Sequence, residues 1–224
     1  MEMRKINKLF AIVLCCVGAM SLVSCIDSDD GIDSKTYQQY LTSIAGNYAG
    51  ATSDYRYENK LKFYNDTITD KNNPNKIDSI MSVMGSVRMD SSFVITGVQG
   101  KVLALNFPDE YKDLKEAIEK APDQTITGKF VFASVGQTSL MMLYPEPIVY
   151  PELTYGGQTH KNITINFWGP SGGYFTNSSY IRVLELPVFM AYVYEGDKKL
   201  FSICDDVNNP SKAIYGQLFV TLSR

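Results

Sequence analysis

The residues that could do chemistry are few, and most lie in the second half of the chain. Gly169-Pro170-Ser171-Gly172-Gly173 has the spacing Gly-x-Ser-x-Gly, in which a serine on a sharp strand-to-helix turn acts as a nucleophile. That chemistry needs a helix after the serine, then an acid and a histidine downstream. Gly173-Tyr174-Phe175-Thr176-Asn177 has no helical pattern, and the single histidine, His160, lies upstream, so 169–173 reads as a loop. His160 alone cannot build a zinc site, which wants three or four ligands, and it reads as a hydrogen-bonding residue of the turn before a strand. Asp27-Ser28-Asp29-Asp30-Gly31 begins like a calcium loop, but its glycine comes one position early and Gln38 stands where a bidentate Glu is required. Asp205-Asp206, beside Asn208-Asn209-Pro210, reads as a solvated turn. No carboxylate pair of the glycosidase type, phosphate-cradling loop or dinucleotide fingerprint is supported. The expectation is no catalytic residue, no metal and no cofactor.

Aromatic side chains are the stronger signal. Trp168, Tyr174 and Phe175 flank the 169–173 loop, and Tyr155 precedes the Gly156-Gly157 turn that leads to His160. Aromatics on loops at the end of a β body can stack on sugars or peptides. Tyr155, His160, Trp168, Tyr174 and Phe175 are therefore the candidate ligand-binding residues, against the plainer reading that they cap the core.

The start of the chain says how such a site would be held. Arg4, Lys5 and Lys8 precede an apolar run from Leu9 to Val23, about 22 Å long as a helix and too short to span a bilayer, so it reads as a secretory signal. Its end, Leu22-Val23-Ser24-Cys25, resembles the bacterial lipoprotein box. The resemblance implies cleavage after Ser24 and acylation of Cys25, hence a membrane anchor and lipoprotein-processing machinery as partners. The acidic run Asp27, Ser28, Asp29, Asp30 resembles the export signal of surface lipoproteins of Bacteroidota. It implies an outer-membrane, lipid-anchored protein facing the cell exterior.

Removing residues 1–24 leaves 18 basic and 23 acidic residues, a balance that argues against nucleic acid, which needs clustered Lys and Arg. Of four cysteines only Cys204 is then neither removed nor lipidated, so no disulfide forms within the mature chain and its core must carry the fold. The expected domains are a signal peptide at 1–24, a lipidated Cys and acidic tether at 25–32, and one β-rich domain at 33–224.

Tyr37, Tyr40, Leu41 and Ile44 make one apolar stripe, with Asp33-Ser34 to cap it and Gly46 to stop it, which predicts a helix over about 33–45. Pro108 and the acids after it predict a second over 108–121. Strands are predicted at 57–68, 76–89, 92–106, 125–134, 137–144, 162–168, 180–195, 198–203 and 214–222, with the proline-rich 144–151 excluded from any central strand. The fold class is mostly β: an antiparallel β-sandwich or lipocalin-like barrel with two short helices.

These landmarks, with Gly46-Asn47-Tyr48-Ala49-Gly50, Asn106-Phe107-Pro108 and Tyr155-Gly156-Gly157-Gln158-Thr159-His160, resemble an uncharacterised lipoprotein family of gut Bacteroidota, a domain of unknown function. Gly46-Asn47-Tyr48 is also similar to the Gly-x-Trp opening of lipocalin-like barrels, with Tyr for Trp. That likeness implies an aromatic plug at the closed barrel end and an interior for an apolar ligand. The expected function is a displayed, non-catalytic binding module for an unknown glycan, peptide or small apolar ligand. The alternatives are an apolar-molecule carrier or, with less support, an acid-pair hydrolase.

Overall fold

The computed structural model describes residues 31–49, 60–64, 77–105, 107–203 and 217–224. The chain divides into two compact units, residues 1–40 and 41–224. Cys25 and Asp27 to Asp30 lie outside the described residues, as do Cys204 and the Asp205-Asp206 turn.

Helix α1 (Ser34–Ile44) forms where the stripe predicts it. Asp33 caps it by accepting the Thr36 N–H at 3.0 Å, and the Thr36 hydroxyl first, then this N–H, lowers the pKa of the Asp33 carboxyl. Leu41 and Ile44 are buried, and Gly46, at φ +141°, turns the chain out of the helix into the first strand.

Among the described residues thirteen strands follow, all in one antiparallel sheet. They are β1 (Gly46–Tyr48), β2 (Lys60–Tyr64), β3 (Ile77–Ser82), β4 (Met84–Val87), β5 (Ser92–Val98), β6 (Gln124–Ser134), β7 (Thr138–Pro145), β8 (Ile148–Tyr155), β9 (Gln158–Trp168), β10 (Ser171–Asn177), β11 (Arg182–Glu195), β12 (Lys198–Ser202) and β13 (Gln217–Ser223). The order is β1-β4-β5-β6-β7-β10-β11-β13-β2-β3, with β8, β9 and β12 attached around the second half of β11. Among the described residues the sheet is not closed, since β1 pairs only with β4 and β3 only with β2. This suits a sandwich or an open lipocalin-like fold.

The strands alternate inward apolar residues with outward polar ones, as a half-buried sheet requires. In β6, for example, Ile126, Phe130 and Phe132 point inward while Lys129 and Val131 are exposed. The sheet curls enough for distant strands to touch: a Cβ on Gly85 of β4 would fall 2.2 Å from Leu222 Cδ1 of β13. Tyr48 is fully buried nearby, its hydroxyl donating to the Ile44 carbonyl at 2.6 Å, and the Arg224 guanidinium lies 4.9 Å over its ring. Arg224 Nη2 also donates to the Ser43 carbonyl at 2.8 Å, tying the end of β13 to α1. Burial pushes the Tyr48 phenol up to about 12, against the opposing pull of Arg224 and Arg182, so it stays neutral.

β11 is the longest strand and the hinge of the topology. Its first half pairs with β10 and β13, its second with β9 and β12. β7–β8 and β9–β10 are each one long path bent at the same level, at Glu146-Pro147 and at Gly169-Pro170, where the peptide is cis. The two bends meet: a Cβ on Gly169 would lie 3.6 Å from Pro145 Cδ and 3.8 Å from Tyr144 Cα.

Several sequence expectations are corrected here. The predicted strand 76–89 is two strands, β3 and β4, separated at the buried Val83. The predicted strand 92–106 ends at Val98 and continues as helix α2 (Gly100–Leu103). Val102-Leu103-Ala104 is an apolar run that fits a buried helix turn as well as a strand. The second helix starts as a 3-10 turn (Asp109–Tyr111) and becomes α3 (Lys112–Lys120), burying Leu114 and Ile118. The proline-rich crossing keeps out of the interior of central strands as expected: Pro145 ends β7, and β8, from Ile148 onward, pairs among the described residues only with β9. Residues 171–173, part of the 169–173 stretch that reads as a loop, instead open β10, which runs on to Asn177.

The β4–β5 turn carries an expected pH effect. Asp90 accepts from the Ser92 hydroxyl and N–H and from Lys129 Nζ at 2.9 Å, and these bonds, the Ser92 hydroxyl first, hold its carboxyl down to about 2. A depressed folded-state pKa gives stability that is complete above the unfolded value of 3.8 and is lost as pH falls through about 2. Asp90→Asn is therefore expected to lower the unfolding temperature slightly above pH ~4 and to match wild type near pH ~2, the effect being small because the pair is exposed. Thermal melts across that range check it.

Candidate functional site

Backbone register settles which side chains share a face, because directly opposed residues project to the same side of a sheet. Trp168 opposes Phe189, Tyr174 opposes both Leu140 and Glu185, and Val131 opposes Met142. On β11 the neighbours Leu184, Leu186, Val188 and Met190 are inward and fully buried, which puts Glu185 and Phe189 on the outward face. Trp168, Tyr174, Tyr144, Leu140, Met142 and Val131 therefore stand on one outward face across β6, β7, β10 and the end of β9. Tyr174 is 46% exposed and Tyr144 45%, while Trp168 is half-buried beside the bend. Gly172, with open room above it, keeps the middle of this face low, since only Leu140 Cδ1 would approach a Cβ there, at 3.8 Å. Lys129 and Glu185 bound the face with one charge of each sign.

Phe175 does not belong to that face. It opposes Ser139 and Leu184 on the inward side and is 0% exposed, so it is core, not a ligand contact. Two consecutive strand residues must point opposite ways, and with 169–173 read as a loop and no strand predicted after it, the two rings were not told apart by face.

Tyr155 and His160 form a separate group. They sit diagonally across the β8–β9 hairpin with rings stacked at 3.6 Å and 10°. His160 Nδ1 lies 2.8 Å from Glu195 Oε1, joining this hairpin to the β11–β12 turn. Burial first, then the charges of Glu195 and Tyr111, push the Tyr155 phenol up to about 12. Tyr111 donates to the Leu200 carbonyl at 2.7 Å and packs on Phe201, which also meets Phe107. Eight residues of β9 separate His160 from Trp168, roughly 26 Å of extended chain. The five candidates thus divide into an outward pair, a hairpin pair and a core residue.

The Gly-x-Ser-x-Gly spacing does not form a strand-to-helix turn here. Ser171 begins a strand, is 5% exposed, and spends its hydroxyl on the Pro187 carbonyl at 2.8 Å. His160 and Glu195 pair, and among the described residues no hydroxyl or thiol is bonded to the histidine. Among the described residues no group of three His, Cys, Asp or Glu could hold a metal ion, and no helix is long and apolar enough to cross a membrane. Sequence reasoning missed Tyr144, Leu140 and Met142, whose alternation in β7 was visible, and Glu195, whose approach to His160 depends on a hairpin register that local sequence does not encode.

A model of a domain of unknown function, DUF4840, matches residues 43–193. No curated protein matches the chain, and no solved structure does.

Proposed function

The chain belongs to the DUF4840 family, and from its own residues we propose that it is a lipid-anchored bacterial lipoprotein, displayed at the cell surface, that binds its ligand without catalysis. The observation that carries the reading is the outward face of Trp168, Tyr174 and Tyr144, three aromatics exposed or half-exposed on a rigid sheet. A fold normally buries such rings, and large rings left in water on one face are a feature of recognition surfaces. Acyl chains on Cys25 would fix the protein in the outer membrane of a bacterium of the Bacteroidota kind, and Asp27, Ser28, Asp29 and Asp30 would direct it outward and give reach. The ligand class is a neutral glycan or peptide, since one Lys and one Glu bound the aromatic face.

Replacing Trp168 and Tyr174 with Ala tests it. Binding to a glycan or peptide array is expected to fall at least tenfold, and Tyr174→Ala alone, at a ring 46% exposed, should weaken binding with little change in unfolding temperature. Unchanged binding in the double variant would refute the face. Proteinase treatment of intact cells tests the location: degradation of the body supports display, whereas survival until lysis contradicts it.

A second reading is a carrier of an apolar molecule. Tyr48, buried after Gly46-Asn47, supports it as the expected end plug, and so does Tyr150, 5% exposed on the inward side of β8, whose hydroxyl has no hydrogen-bond partner among the described residues. A polar ligand atom there would satisfy the donor.

A further inference from the structure

The half of the sheet built around the end of β11 has an outward face of its own. Val149, Thr164, Tyr194 and Lys199 are directly opposed in turn across β8, β9, β11 and β12, so they project to one side. The adjacent row, Ile148, Ile165, Val193 and Phe201, is buried on the other side, whereas Val149 is 49% exposed. Asn166, Tyr192 and Ser202 make a second outward row. Alternation along β9 puts Trp168 on the same side as Asn166 and Thr164, so this face continues the aromatic one, with roughly 13 Å of strand between Thr164 and Trp168.

Lys199 is fixed on this face by neutral groups alone. Its ammonium donates to the Ser202 hydroxyl at 3.2 Å and lies 5.1 Å over the Tyr192 ring. Among the described residues no carboxylate forms an ion pair with it. Glu195, next to Tyr194, opposes the buried Ile163 on the other side of the sheet and is bonded to His160. Lys199 covers Tyr192, which leaves Tyr194, 6.3 Å from that ring at 76°, as the ring open to a ligand. The Thr164 hydroxyl donates to the Asn162 carbonyl at 3.4 Å and can still accept, and the Ser202 hydroxyl can still donate.

Main-chain N–H and C=O groups lie in the sheet plane and bond between strands, so an extended peptide finds no backbone partners on a face. Side-chain hydroxyls and an amide match the hydroxyls of a sugar instead, an aromatic ring matches its C–H side, and a lone ammonium matches a carboxylate. Resting on the recognition role of the aromatic face, we infer that the ligand is a linear acidic polysaccharide. Neutral sugars lie on Trp168 and Tyr174, and the chain runs on along β9 to set a uronic acid on Tyr194 with its carboxylate against Lys199.

Titration calorimetry of the full chain against oligomers of galacturonate, mannuronate and hyaluronan, each beside its methyl ester, tests it. Saturable binding of at least one acid is expected, roughly fivefold tighter than its neutral ester, with the difference shrinking as salt rises. Lys199→Met keeps a stem on Tyr192 and loses the charge, so it should bind acid and ester alike. The Trp168/Tyr174 double variant should lose both. An ester bound as tightly as its acid, or an undiminished preference in Lys199→Met, overturns the uronate site and leaves the aromatic face standing. Poly-L-glutamate bound as tightly as the uronates would make this an acidic-peptide site and overturn the polysaccharide. Absence of saturable binding to every oligomer overturns it as well, and Trp168-dependent capture of peptides on the array would then keep the aromatic face alone.

Discussion

Gly100→Ala is expected to destabilise the protein by about 3 kcal/mol, at the upper end of what overpacking costs. Gly100 is the buried first residue of α2, and an added Cβ would lie 1.9 Å from the Ile118 carbonyl oxygen and 2.8 Å from its carbon. Both are backbone atoms of α3, so no side-chain rotation relieves the contact. The helices must separate, which lifts Leu114 and Ile118 from the core they fill. In a domain of this size the unfolding temperature should drop by roughly 10 °C, measured by thermal melts. Gly157→Ala makes the comparison, because nothing lies within 4 Å of its Cβ position. Its φ of +75° leaves only backbone strain, on the order of 1 kcal/mol. Equal losses at the two sites would show that α2 and α3 do not meet at Gly100.

The other large effect is expected at Tyr48. Tyr48→Ala removes a fully buried ring, the hydroxyl bond to Ile44 and the surface on which Arg224 rests, and should cost about 4 kcal/mol. Tyr48→Phe keeps the ring and the guanidinium contact and loses the hydroxyl bond, for about 1 kcal/mol. Chemical denaturation of the two variants checks the ratio. Similar losses would mean that the hydroxyl, not the ring, holds this end of the sheet.

The outline of the fold was legible because its signals are local. A stripe at helical spacing, capped by Asp33, gives α1, and strict alternation in Ile163, Ile165 and Phe167 gives the centre of β9. The family likeness was legible too, in Gly46-Asn47-Tyr48 and the 155–160 turn. Legibility failed where tertiary contact decides. Val102 and Leu103 turn helical because Gly100 lets α3 approach, and Ser171 to Asn177 become a strand because β7 and β11 are there to pair with them. Phe175 was placed with Tyr174 by proximity in sequence, which in a strand puts it on the opposite face. Glu195 and Arg224 act on His160 and Tyr48 from 35 and 176 residues away, a relation that no local pattern could reveal.

The central proposal is recognition at the outward aromatic face, with the interior filled by side chains. Native mass spectrometry of the purified full chain, followed by solvent extraction, tests this most directly. The expected spectrum shows the processed protein with acyl chains on Cys25 and nothing else bound after detergent is removed. A stoichiometric apolar molecule, released by extraction and retained in the Trp168/Tyr174 double variant, would contradict the account and make the protein a carrier.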